Sequence, residues 1–142
     1  MKALDLAKYI VTKCWYDEKP ITHLHLQKIL WLLFEDVYKY YNVFLFTDRI
    51  EARGFGPTVP TVSNYFWGNG AFEIYAHFDD IDYQFDDIPK DFIDKKIEEY
   101  RDIDLFELIG KCCENEAYQI TRKKNPDNPM ARIPLSLIEQ YL

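Results

Sequence analysis

Cysteine is scarce and poorly placed for cross-linking: Cys14, Cys112 and Cys113 are the only three. An odd count with one adjacent pair gives no disulfide framework. A reducing compartment is the natural home of such a chain, so a cytoplasmic location is expected. Long apolar runs are missing as well. The longest, Ile29 to Phe34, falls far short of the ~20 residues a membrane-spanning helix needs. No secretory leader is read near residue 1, where Lys2, Asp5 and Lys8 sit inside a helical pattern. Positive charge is also in deficit, with 17 Lys and Arg against 24 Asp and Glu, a net charge of −7. Non-specific affinity for nucleic acid comes mainly from Lys and Arg, so direct nucleic-acid binding is disfavoured. The one basic run, Arg122-Lys123-Lys124, reads as a solvated helix end.

Catalytic and metal-binding patterns are equally thin. His23 and His25 are two residues apart, which puts them on different sides of a helix. Cys112 and Cys113 lack the intervening residues that let two thiolates reach one zinc ion. Cys14 lies on an apolar stripe, and the adjacent pair lies near a helix C-terminus, where the dipole does not favour a thiolate. No Gly-x-Ser-x-Gly elbow is present. Arg53-Gly54-Phe55-Gly56-Pro57 has two glycines but no following Lys-Ser, and its proline removes an amide that would cradle phosphate. Asp79, Asp80 and Asp82 resemble the start of a calcium loop, but the later glycine and the final glutamate are missing. No catalytic residue, metal ligand or cofactor is assigned, and the expectation is a protein that is not an enzyme.

What the chain does have is aromatic side chains: 11 Tyr, 10 Phe and 3 Trp, 17% of the sequence. Rings of this kind serve both cores and interfaces. At 142 residues the chain can bury a real core without staples, and it is read as one domain over 1–142.

Helical periodicity dominates. Ala3, Leu6, Ala7, Ile10, Val11 and Cys14 make one stripe, ended by Asp17-Glu18-Lys19-Pro20. Thr22 is a good N-cap for a second helix carrying Leu26, Leu30, Leu33, Val37 and Tyr40, widened by Leu24, Ile29, Trp31, Leu32 and Phe34. That helix is expected to be central, with Glu35, Asp36 and Lys39 on its wet face and Asn42 as a left-handed cap. Val43–Phe46 and Ile50–Arg53, around Thr47-Asp48-Arg49, read as a small β-hairpin. Gly56-Pro57 reads as a turn after it, and Val59–Phe66 as a short helix with Pro60 in its first turn. Phe72–Phe78 reads as a strand. Helices are expected from Pro89 to about Tyr100, from Asp104 to Cys112, from Glu116 to Arg122 and from Ile133 on. The expected class is mainly α, with a small antiparallel β element.

The segment 79–87 holds Asp79, Asp80, Asp82, Asp86 and Asp87 with no base among them. Its plain reading is a solvated acidic loop. Its sharper reading is a negative field that steers a basic partner, with Tyr83 and Phe85 as anchoring rings.

Two blocks carry a family resemblance. Leu26-Gln27-Lys28-Ile29-Leu30-Trp31 is followed, at matching spacing, by Glu51-Ala52-Arg53-Gly54-Phe55-Gly56-Pro57-Thr58-Val59. With the first helix and a late Phe106-Glu107-Leu108, this pattern resembles the Panacea domain of phage-associated proteins and antitoxins, over roughly residues 3–122. The chain departs from the family's usual residues at Arg53, at Ser63 and at Ala117-Tyr118. The resemblance implies a mainly helical domain that neutralises a cognate toxin by direct protein binding; some members resemble adaptors that deliver the toxin to a protease. It implies no catalytic residues. The candidate partner-binding residues are Arg53, Phe55, Tyr65, Trp67, Asp79, Asp80, Asp82, Tyr83, Phe85, Asp86 and Asp87. The alternative is a phage-encoded inhibitor of host defence, an acidic anti-CRISPR-like binder. The partner in either case is a protein, no membrane is involved, and self-association is left open.

Overall fold

A computed structural model describes residues 1–142. Seven α-helices and one two-stranded sheet follow in the order α1 (Ala3–Tyr16), α2 (His23–Tyr41), β1 (Glu51–Arg53), β2 (Gly56–Thr58), α3 (Pro60–Phe66), α4 (Lys90–Arg101), α5 (Leu105–Cys113), α6 (Glu116–Lys124) and α7 (Leu135–Tyr141). The mainly helical class with a small antiparallel sheet is as the periodicity implies.

α2 is the axis of the molecule. It touches α1, α3, α4, α5 and β2. Thr22 caps its start, its Oγ1 accepting from the His25 amide at 3.2 Å. Asn42 closes its end at φ 56°, its amide donating to the Tyr38 carbonyl. A side chain can adopt this left-handed geometry cheaply only if it is glycine or a short amide, hence asparagine here. Between the caps Leu26, Ile29, Leu30, Leu33 and Phe34 are sealed completely from solvent. Each contributes roughly 1.5–3 kcal/mol relative to exposure.

The surrounding helices owe their ends to equally local causes. Asp104 caps α5 by accepting from the Phe106 and Glu107 amides, and Asn115 caps α6 by accepting from the Tyr118 amide. Pro60 opens α3 at a position where its missing N–H costs nothing. Arg122, Lys123 and Lys124 form the exposed last turn of α6.

Five local readings need correction. The hairpin pairs Glu51 with Thr58 and Arg53 with Gly56, so its turn is Gly54-Phe55 and Gly56-Pro57 lies within β2. Proline is tolerated there because Ala52, opposite it, sends its amide outward to the Ala131 carbonyl at 2.8 Å. Residues 43–49 are irregular. Their aromatic residues are drawn to the core as side chains, with Phe44 stacked on Phe34 and Phe46 buried against it.

Phe72–Phe78 is not a strand. Only Glu73 bridges, to Thr22, and Ile74 donates to the Ile21 carbonyl, so one rung replaces a ladder. Glu35 and Asp36 are not on a wet face: their side chains are 12% and 15% exposed, and Asp36 accepts the Tyr100 hydroxyl of α4 and meets its Lys96. Tyr40, placed by spacing on the apolar stripe, is 68% exposed, with an edge contact to Phe92 of α4 on one side of its ring.

Candidate partner-binding site

The two motif blocks of the sequence meet in space. Gln27 and Lys28 project from α2 onto the hairpin and the chain leaving it. The Gln27 side chain makes a two-way clamp on Val59: its Nε2 donates to the Val59 carbonyl at 3.1 Å and its Oε1 accepts from the Val59 amide at 2.9 Å. Lys28 is fully buried, and its Nζ donates to the carbonyls of Phe55 at 2.8 Å and Pro57 at 3.1 Å. A two-residue turn and a proline strand leave carbonyls that no ladder can use. α2 supplies the missing donors.

Gly56 is required by this arrangement. Its φ is +109°, and a Cβ there would stand 3.0 Å from Lys28 Nζ and 3.4 Å from Cys112 Cβ. Burial pulls the Lys28 ammonium down to about 8 and pushes the Cys112 thiol up to about 12.

The hairpin's other side is held by charge. Glu51 is 7% exposed and takes Arg53 at 2.8 Å and Arg49 at 2.9 Å, one guanidinium on each carboxylate oxygen. Arg53 also reaches the Ser63 hydroxyl on α3 at 3.4 Å, and its own carbonyl accepts the Tyr118 hydroxyl at 2.6 Å. A buried carboxylate with a guanidinium on each oxygen is costly to break from one side. Arg53 therefore holds hairpin to helix as well as facing solvent. His23, Gln27, Arg53, Phe55 and Ser63 rim a shallow cleft of about 190 Å³ above this junction. Burial lowers the His23 pKa, and the nearby Arg53 and Lys28 charges act in the same direction.

The remaining candidate residues fall into two groups. Phe55 at the hairpin tip, Tyr65 on α3 and Trp67 just beyond it are 64%, 49% and 79% exposed, large rings left in water. Asp80, Asp82, Asp86 and Asp87 are exposed on the irregular segment before α4. Asp79 accepts hydrogen bonds from Tyr16 and meets His77, and the Tyr16 hydroxyl holds its carboxyl below the usual range.

Of the two aromatic residues of that segment, Phe85 is not a surface anchor and Tyr83 is half-buried. Phe85 is in the core and stacks edge-on against Tyr9. Tyr83 also stacks edge-on against Tyr9, with its hydroxyl returned to the Phe78 carbonyl. They tie the acidic segment to α1, because a loop this charged needs apolar attachment to stay folded down. Sequence inspection missed exposed Phe72, Tyr75 and Phe106, at 80%, 73% and 79%. Phe72 and Tyr75 lie in the expected strand, and Phe106 follows an N-cap, where spacing does not fix the face. No three His, Cys, Asp or Glu side chains converge as they would around a metal ion.

A mainly helical protein whose α2 clamps a Gly-Pro hairpin is the class these contacts define. The family model described as antitoxin SocA-like, Panacea domain, matches residues 26–119, from Leu26 before the clamp to Gln119 on α6, and the chain belongs to that family. Comparison with curated proteins and with solved structures found no match. No helix is long and apolar enough to cross a membrane.

Proposed function

We propose that this chain is an antitoxin that neutralises a cognate toxin by binding it directly, and that it transforms no substrate. Family membership over residues 26–119 is the observation that carries the reading. The geometry supports it. The segment shared with the family is built around a hairpin that α2 grips through backbone carbonyls, leaving Phe55 exposed at the tip. Rigidly mounted exposed rings are what interface hot spots are made of. Phe55, Tyr65 and Trp67 supply the contact, and Arg53 fixes the hairpin to α3 beneath it. The exposed carboxylates Asp80, Asp82, Asp86 and Asp87 act at longer range, drawing a basic partner in and raising the association rate. The mechanism is occlusion of the toxin's working surface, in the cytoplasm.

The test is co-expression with each small open reading frame adjacent to its gene. One of them should arrest growth alone, be relieved by this chain, and co-purify with it. Relief without a complex, or no toxic neighbour, would overturn the reading.

A further inference from the structure

The largest cleft of the molecule lies away from the hairpin, with a volume of about 730 Å³, between the end of α1 and the segment before the acidic loop. It is lined by Trp15, Tyr16, Glu18, Lys19, Glu73 and Tyr75. Its walls are held by backbone. The Ile74 amide donates to the Ile21 carbonyl at 2.8 Å and Ile74 is buried, so Glu73 and Tyr75, one residue to either side, both point outward. The opposite wall is the helix end, where Glu18 takes the left-handed conformation at φ 57° and Arg101 anchors Asp17 at 2.6 Å.

The lining has a definite chemistry. Tyr16 and Tyr75 are 58% and 73% exposed, Trp15 is 36% exposed, and the His77 ring lies against the Trp15 indole at 4.3 Å. The Glu73 carboxylate accepts the Tyr75 hydroxyl at 2.8 Å, and neither Glu73 nor Glu18 forms an ion pair. The one cation in the lining, Lys19, is drawn to Asp102 at 3.3 Å. Three aromatic rings and two uncompensated carboxylates face one volume. Rings attract cations through their faces, and carboxylates complete the match.

We propose that this cleft receives an arginine or lysine side chain presented by a basic segment of a protein partner. The partner is the one the antitoxin reading requires, so the proposal rests on that reading and gives its partner a chemistry: a basic segment that docks apart from the hairpin surface. Linking two such contacts raises affinity without enlarging either.

The experiment uses the full chain carrying Trp67→Phe, so that Trp15 is the exposed indole, Trp31 being buried at 2%. Its fluorescence is titrated with capped tetra-arginine and with capped tetraglutamate, in parallel with Glu18→Gln/Glu73→Gln and with Tyr75→Ala. These side chains are at the surface, and circular dichroism confirms that each variant folds. The expected result is a saturable change with tetra-arginine alone, weakened at least tenfold in both variants. An absent response, an equal response to tetraglutamate, or a response the variants leave unchanged overturns the proposal. In the co-expression assay Glu18→Gln/Glu73→Gln and Tyr75→Ala, made in the chain that keeps Trp67, should capture less of the adjacent gene product than the unsubstituted chain. Undiminished capture assigns the cleft no role with that partner and leaves the antitoxin reading standing. Failure of the unsubstituted chain to capture any neighbour overturns the antitoxin reading, and with it the identity of the partner, whatever the peptide result.

Discussion

Lys28 holds Phe55 from behind: the buried ammonium of α2 donates at 2.8 Å to the carbonyl of the residue whose ring stands most exposed on the hairpin. The motif that looked like helix sequence and the motif that looked like a turn are two halves of one joint. Lys28→Met keeps the volume and removes both donors, leaving the Phe55 and Pro57 carbonyls without their partner. Each buried polar group left unpaired costs about 1–3 kcal/mol. The expected loss is about 3 kcal/mol, read by urea unfolding, with faster hydrogen exchange confined to the hairpin.

Gly56→Ala attacks the same joint sterically. The new Cβ meets Lys28 Nζ at 3.0 Å, at a φ of +109° that only glycine adopts readily. Strain of this kind costs about 1–3 kcal/mol. Gly54→Ala, in the same turn but with nothing within 4 Å of its Cβ, is the control and should cost under about 1 kcal/mol. Thermal unfolding of the pair checks the contrast.

Stability should depend on pH through Glu35. Burial raises its pKa from 4.5 to about 7. Between those values the folded chain holds a proton that the unfolded chain has released, so stability falls as pH rises from 4.5 to 7. The contribution is on the order of 3 kcal/mol. Glu35→Gln removes this slope. Lys28 acts in a separate window: its pKa falls from 10.5 to about 8, so its share of stability rises as pH climbs between them. Urea midpoints of wild type and both variants, measured from pH 4 to 10, separate the two.

Much of the frame was legible in the sequence, because helices are specified locally. The α1 stripe, the Thr22 and Asp104 caps and the left-handed Asn42 all stand where spacing and capping chemistry put them. What failed was long-range. Nothing near Gly56-Pro57 says that a lysine far back on α2 will satisfy its carbonyls, so from sequence alone the strand has the appearance of a turn. Glu35 looks solvated until the packed fold leaves its side chain only 12% exposed. Phe85 looks like an anchor among aspartates until Tyr9 on α1 supplies its stacking partner. Of the candidate site, exposed Phe55, Tyr65 and Trp67 and the aspartates could be named from sequence; the Trp15–Tyr75 cleft could not, because its walls are joined by contacts far apart in the chain, Ile74 with Ile21 and His77 with Trp15.

The cysteines should differ in reactivity. Cys14 and Cys112 are buried, and burial raises both thiols, whereas Cys113 is partly open. Thiolate is the reactive form. A colorimetric thiol reagent should modify one cysteine promptly in the folded chain and all three after denaturation, with Cys113→Ser abolishing the prompt phase.

The central claim is that exposed rings carried by the clamped hairpin and α3 hold a protein partner. Its most direct measurement is calorimetric titration of the purified chain with the purified product of the adjacent toxic reading frame, using wild type and Phe55→Ala/Trp67→Ala. The prediction is a saturable complex with wild type, weakened at least tenfold in the double variant while its melting temperature holds, as expected where a few exposed rings dominate the contact. Equal affinity in the two chains, or no heat of binding with wild type, would contradict it.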